Sequence, residues 1–396
     1  MPKFNFDNSR FASFFQNGGG VNMLQSYIDM SEMIRINYGW WRTQFSVNPN
    51  VTPTDDKGVA TFTIEASTET SAPMMDLRAP MGQAIPLDTE GLSYYSATIP
   101  DFISPAIHET AMEREYKRKT FEQFGNDASI IKAWTQKVQT LVDGKDQTMN
   151  NMAAQLESTG KIKYTFGRGN KSKLIKAEIP TENFYNAGAP TDTDKKVWTA
   201  PDAKILSMMV NIEDDFRQRT GFQGAMKWLV TYDMMHNVIL KNKEVLEWVN
   251  YYRNLNTNSP QAAPEISIIP EDLFARSVVS YPGLSPIEVV VEKEKNLTWD
   301  KVEMVQGWKE GVAVLRPVGD AGMIMHTDIL DEQLISTYGN KMIESVFANL
   351  DGFSRLVNTT VPNGQLKEWN TCIMMSAVPA LTEFPQHCII DTTKIS

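Results

Sequence analysis

The residues able to do covalent or phosphate chemistry in this sequence are few and poorly grouped. A cysteine nucleophile needs a neighbour that stabilises its thiolate, and the candidates are Cys372 or Cys388 with His387. Adjacent residues of an extended strand point to opposite faces, so His387 and Cys388 are badly placed to share a proton. Cys372 sits in the apolar run "CIMMSA", where a thiol behaves as a small buried hydrophobe. The segment "GRGNKS" (167–172) comes nearest to a phosphate loop. A Walker loop, however, keeps four residues between its first glycine and Gly-Lys-Ser/Thr and leads into a helix. This one leads into a strand pattern and reads as a hairpin turn. His108, His236, His326 and His387 are scattered, without the paired spacing of a zinc site. Asp55-Asp56 and Glu213-Asp214-Asp215 lack the spaced ligands of a calcium loop and read as solvated faces. The expectation is therefore no catalytic residue, no cofactor and no metal: a non-enzyme.

The chain that would carry such residues has 396 of them, 42% hydrophobic, with a formal net charge of −10. That length predicts two or three domains with well-buried cores. The acidic balance offers phosphates no overall attraction, so contact with nucleic acid is expected to be weak and non-specific. Two cysteines build no disulfide framework and fit a reducing cytosol. The segment "MPKFNFDNSRFASFFQNGGG" lacks the pattern of a secretory signal, and no apolar run approaches the roughly 18 residues that span a bilayer. A soluble chain with no membrane partner is expected.

Residues 1–45 are rich in aromatics (Phe4, Phe6, Phe11, Phe14, Phe15, Trp40, Trp41) around Gly18-Gly19-Gly20, with "NMLQSYIDMSEMIRI" as one short helix. This arm has apolar groups to bury and little core of its own; it packs either on its own domain or on a neighbour. In "VATFTIEA" the residues Ala60, Phe62, Ile64 and Ala66 alternate with polar ones as in a half-buried strand, and "LSYYSAT" (92–98) supplies a return strand. The 25 residues between them are too long for a turn, and structureless loops beyond about 15 residues are usually functional or disordered. Met74, Met75, Leu77, Met81 and Ile85 would be exposed there, which calls for a partner to cover them.

Residues 127–158 give the clearest helix. Asp127 is a natural N-cap, and Ile131, Trp134, Val138, Leu141, Val142, Met149, Met152 and Leu156 follow one face. Its length would be about 48 Å, with Gly144 a weak point and Thr159-Gly160 the stop. "KIKYTF" and "KLIKAEI" then alternate as a hairpin, so helix, stop and hairpin form one rigid plank. Further on, helices are expected at 201–219 (Pro201 in its first turn), 223–236 and 241–252, and buried strands in "IEVVVEKE", "GVAVLRPV" and "TCIMMSAVPAL". "QLISTYGNKMIESVFANLDGFSRLV" fits no single period.

This order of parts resembles the major capsid proteins of tailed bacteriophages, with the α+β fold named for the Hong Kong phage, and at sequence level the family of the phage lambda major capsid protein. The resemblance is carried by "LRAPMGQAIPL", "ATIPDFISPAIHETAMERE", "MNNMAAQLESTGKI", "WTAPDAKILSMM", "TGFQGAMKWLVTYDMMHNVILKN", "VAVLRPVGDAG" and "SAVPALTEFP", in the family's order over about residues 55–390. Each is a loose pattern, and the specificity lies in their sequence. The resemblance implies an N-terminal arm (1–45), an extended loop (46–105), a peripheral domain with the spine helix (106–197), an axial domain (198–365) and C-terminal strands returning to the peripheral domain (366–396).

It further implies a subunit that self-assembles as hexamers and pentamers into an icosahedral shell around double-stranded DNA, a virion capsid assembled in the bacterial host cytoplasm. Portal and scaffold or decoration proteins would be its partners. Met74, Met75, Leu77, Arg78, Met81 and Ile85 are the expected intersubunit contacts. The alternatives are a related encapsulating compartment, distinguished by a neighbouring cargo enzyme gene, and a Cys-dependent hydrolase, for which the sequence shows no convergent site.

Overall fold

The computed structural model describes residues 39–56, 58–67, 92–110, 112–113, 127–166, 171–255, 268–290, 296–297, 304–305, 307–329, 344–363 and 366–395. The helix expected in the arm, the tip of the extended loop and the "GRGN" turn lie outside these residues.

The chain enters through α1 (Trp41–Gln44) and β1 (Phe45–Val47). Strands β2 (Thr61–Ser67) and β3 (Leu92–Thr98) pair antiparallel, Phe62 opposite Ala97 and Ile64 opposite Tyr95, as their alternation requires. Short strands β4 (Asp101–Ile103) and β5 (Ile107–Glu109) precede the 33-residue helix α2 (Asp127–Thr159). Val138, Leu141, Val142, Met149, Met152 and Leu156 of its stripe are buried; the side chains of Ile131 and Trp134 lie outside the described ones. Gly160 closes α2 at φ +67°, its N–H donating to Leu156 O at 2.8 Å, a left-handed stop that glycine adopts without a Cβ penalty. A Cβ there would meet Ile179 Cδ1 at 2.8 Å. The chain passes straight into the hairpin β6 (Lys161–Phe166) and β7 (Lys171–Lys176).

After β8 (Phe184–Tyr185) comes α3 (Ile205–Thr220), four residues later than Pro201 suggested. Its start is set by Glu244, whose carboxylate accepts the N–H groups of Leu206 (2.7 Å) and Ser207 (3.2 Å). The expected helix at 223–236 is displaced by a strand, β9 (Met226–Thr231), with only α4 (Tyr232–Met234) and a π turn (Met235–Ile239) after it. Helix α5 (Lys243–Leu255) follows, then α6 (Glu271–Val279), which the sequence reading missed, and β10 (Ile287–Val290). β11 (Asn296–Leu297) pairs with β12 (Met304–Val305). The chain ends through β13 (Val312–Pro317), β14 (Gly322–His326), β15 (Glu344–Asn349), β16 (Ser354–Asn363), β17 (Leu366–Leu381) and β18 (Cys388–Asp391).

Two sheets organise this α+β chain. The larger runs β1-β14-β17-β16-β15, with β4 and β5 also paired to β17. The boundary expected at 365 falls inside the β16–β17 hairpin, which is paired from Ser354–Met375 to Asn363–Leu366. The second runs β10-β9-β13-β18-β8 and separates two hydrophobic cores. Leu229, Val312, Val314 and Ile389 point into the core that contains α2, whereas Trp228, Val230, Ala313, Leu315, Cys388 and Ile390 point into the core under α3, α5 and α6. Strands buried on both faces read as continuous apolar runs, which is why "MKWLV" imitated helical spacing.

Candidate assembly surfaces and the buried polar joint

The six residues expected at intersubunit contacts, Met74, Met75, Leu77, Arg78, Met81 and Ile85, lie outside the described residues. The stem beneath them is anchored by aromatic packing. Tyr95 sets its ring edge-on to Phe384 (5.2 Å, 88°) and to Phe62 (6.2 Å, 83°), and its hydroxyl donates to Leu381 O at 3.0 Å. Burial pushes that phenol's pKa far up. On the opposite face Tyr94 is 70% exposed beside Glu65. One face of the stem is therefore fixed to the larger sheet while the other remains a surface.

Where α1, α2 and both sheets meet, the chain buries a charge network that no local sequence pattern identifies. Arg316, on β13, is 2% exposed and Glu157, on α2, is fully buried; Arg316 Nε stands 3.2 Å from Glu157 Oε2. Arg316 Nη1 donates to Pro317 O (3.0 Å) and Gly319 O (2.9 Å), and Nη2 donates to Gln44 Oε1. Gln44 Nε2 donates to Glu288 (3.0 Å), which also takes Lys227 at 2.7 Å. Burial pushes the Glu157 carboxyl above the carboxylate range, against the pull of Arg316. The only sequence signal was an arginine inside the apolar strand "VAVLRPV".

A second buried joint ties the middle of α2 to the β15–β16 turn. Lys145 contacts the Asp351 carboxylate, with Asp146 at 3.3 Å, and Ser354 Oγ donates to Asp351 at 2.5 Å. The backbone N–H of Trp41 donates to Asn150 Oδ1 of the same helix at 2.9 Å, and Trp40 packs edge-on to Trp308 at 6.0 Å. The described end of the arm thus packs on its own chain.

The groups singled out for chemistry are separated. His387 is buried, its Nε2–H donating to Glu157 O at 2.7 Å, and desolvation lowers its pKa to about 4. Burial raises the thiol pKa of both cysteines, that of Cys388 very far. Burial holds both thiols protonated, whereas the reactive form of cysteine is the thiolate. Glu213 corrects the expectation of a solvated acidic face: it is 3% exposed and accepts from Arg217 Nη2 (2.8 Å) and Ser285 Oγ (2.7 Å). An open groove is lined by Ser207, Val210, Asn211, Trp248, Tyr281 and Pro282, but Ser207 Oγ already donates to Glu244 and Trp248 Nε1 to Ser277 O. Among the described residues no group of three or more His, Cys, Asp or Glu could hold a metal ion.

No family model and no curated protein matches this chain. Several solved structures are similar. A protein described as the capsid protein of a prophage of E. coli CFT073 is 12% identical, with 94% of this chain and 98% of that one covered and a TM-score of 0.48. A phage-related protein from Bordetella bronchiseptica RB50 is also 12% identical, covering 94% and 97%, with a TM-score of 0.48. The capsid of Ralstonia phage GP4 is 11% identical, covering 93% and 94%, with a TM-score of 0.39.

Proposed function

We propose that this chain is the structural, non-enzymatic subunit of a tailed-phage shell, assembling as hexamers and pentamers around double-stranded DNA in the host cytoplasm, with portal and scaffold or decoration proteins as partners. The observation that carries the reading is the plank. A 33-residue helix is stopped by Gly160 and continues directly into a hairpin, beside a stem whose two strands are joined in sequence by a long Met-containing segment. This is the order of parts that the sequence resemblance implies, and it builds extended surfaces. In the proposed partition the arm is 1–45, the extended loop 46–105, the peripheral domain 106–197 and the axial domain centred on the core of α3, α5 and α6, with β16 assigned to the sheet in which it pairs.

Replacing residues 69–90 with a short Gly-Ser turn tests the reading. At about 25 cal/mol per Å² of buried apolar surface, a neighbour covering Met74, Met75, Leu77, Met81 and Ile85 gains several kcal/mol per contact. The variant should remain soluble with unchanged circular dichroism and form at most isolated capsomers in negative-stain images. Closed particles of normal size would remove the loop from the contact, and loss of folding would make it part of a core.

A further inference from the structure

The hairpin β6–β7 and its turn, residues 161–176, contain Lys161, Lys163, Arg168, Lys171, Lys173 and Lys176 and no acidic residue. Against a whole-chain formal charge of −10, this +6 leaves −16 on the remainder. Register and burial fix what the described part presents. Lys161 stands opposite Lys176, and Lys163 opposite Leu174, so these four form a two-by-two block on one face. Ile162 and Ile175, on the other face, are 0% and 3% exposed. In the block the three lysines are exposed and Leu174 is 58% exposed. Within the described residues its only ion pair is the exposed one from Lys176 to Glu178, at 3.1 Å.

Like charges directly opposite on a hairpin cost stability, and this hairpin holds them on a face that the described residues leave open. We propose that the block is a docking surface for an acidic face of a second copy of this chain; the inference rests on the shell reading above. Two observations select that occupant. A phosphate backbone is bound by charge and hydrogen-bond donors and gains nothing from the exposed Leu174 beside Lys163 and Lys176, whereas a protein partner buries such an apolar group within a charged rim. Every neighbouring copy also brings the −16 that complements the hairpin.

The test is the full chain carrying Lys161→Glu, Lys163→Glu and Lys176→Glu, produced with its neighbouring genes beside wild type and imaged after circular dichroism and melting confirm its fold. Closed particles should fall by about tenfold or more, the equivalent of roughly 1.4 kcal/mol, with soluble subunits or capsomers accumulating. The Lys→Arg triple variant should restore closure, and Leu174→Ser should weaken it. If the glutamate variant does not fold, the Lys→Gln triple variant is read in its place. Normal closure of the variant overturns the proposal. So do normal particle numbers with lost nucleic acid, which would assign the face to DNA. A wild-type protein that never forms particles overturns the shell reading itself, and this inference with it.

Discussion

Replacing Arg316 with Met removes the cation from a joint that α2 cannot reach with solvent. Glu157 is fully buried, and its neighbour Glu288 is already held by Lys227 and Gln44. Removing one partner of a buried pair costs about 3–5 kcal/mol because the other charge stays uncompensated. With an unfolding entropy of about 2.1 cal/mol/K per residue, a chain of this length unfolding as one unit loses roughly 5 °C of Tm for 4 kcal/mol. The assay is calorimetric melting of Arg316→Met, Glu157→Met and the double variant. Replacing both leaves no orphan charge, so the double variant should be at least about 1 kcal/mol more stable than Arg316→Met alone. The pH dependence has a definite sign. Without Arg316 the Glu157 carboxyl, already raised by burial, rises further above its unfolded value, so the folded state holds the extra proton. The deficit of Arg316→Met should therefore grow as pH rises and shrink as it falls. A single variant melting within 1 °C of wild type, or strictly additive losses in the double, would refute the pair as an organising contact.

His387, lowered to about 4 from 6.5, binds fewer protons folded than unfolded between those values. Stability should be full above about pH 6.5 and drop by roughly 3 kcal/mol as pH falls to 4. Subtracting the profile of His387→Gln isolates that loss, and identical profiles would contradict it. Gly160→Ala forces a left-handed residue and a contact with Ile179 at 2.8 Å; a loss of at least about 1–2 kcal/mol is expected in thermal unfolding, and an unchanged Tm would show that the stop tolerates a Cβ. Gly322→Ala drives a Cβ into the backbone oxygen of Ala380, and should yield insoluble chain; soluble, normally melting protein would contradict that strand pairing. Cys372 and Cys388, both buried with raised pKa values, should resist iodoacetamide at neutral pH until the chain unfolds. Rapid alkylation of the native protein would reopen the thiol chemistry.

Much of the stretch from β2 to β7 was legible because its signals are local. The apolar stripe of α2, the glycine at 160 and the alternation in β2, β3, β6 and β7 each lie within one segment and survive packing. The second sheet was harder. Residues buried on both faces lose alternation, so Met226, Leu229, Val230 and Met234 offered a helical period to a chain that is extended up to Thr231. The start of α3 depends on Glu244, 38 residues downstream, and no propensity at Pro201 could locate it. Glu213 read as solvated because its partner Ser285 is 72 residues away. The joint of Gln44, Glu157, Arg316 and Glu288 is likewise assembled from four distant segments. The lysines of β6 and β7 were visible individually, but their grouping around Leu174 emerges only with the register.

Electron cryomicroscopy of the wild-type protein, produced with its neighbouring genes, decides whether the chain is a shell subunit. Closed particles with five-fold and six-fold capsomers are expected, in which the β2–β3 stem and its loop lie on an adjacent subunit. A monodisperse single subunit under every condition that preserves the fold, with no ring or shell in the images, would contradict the shell reading.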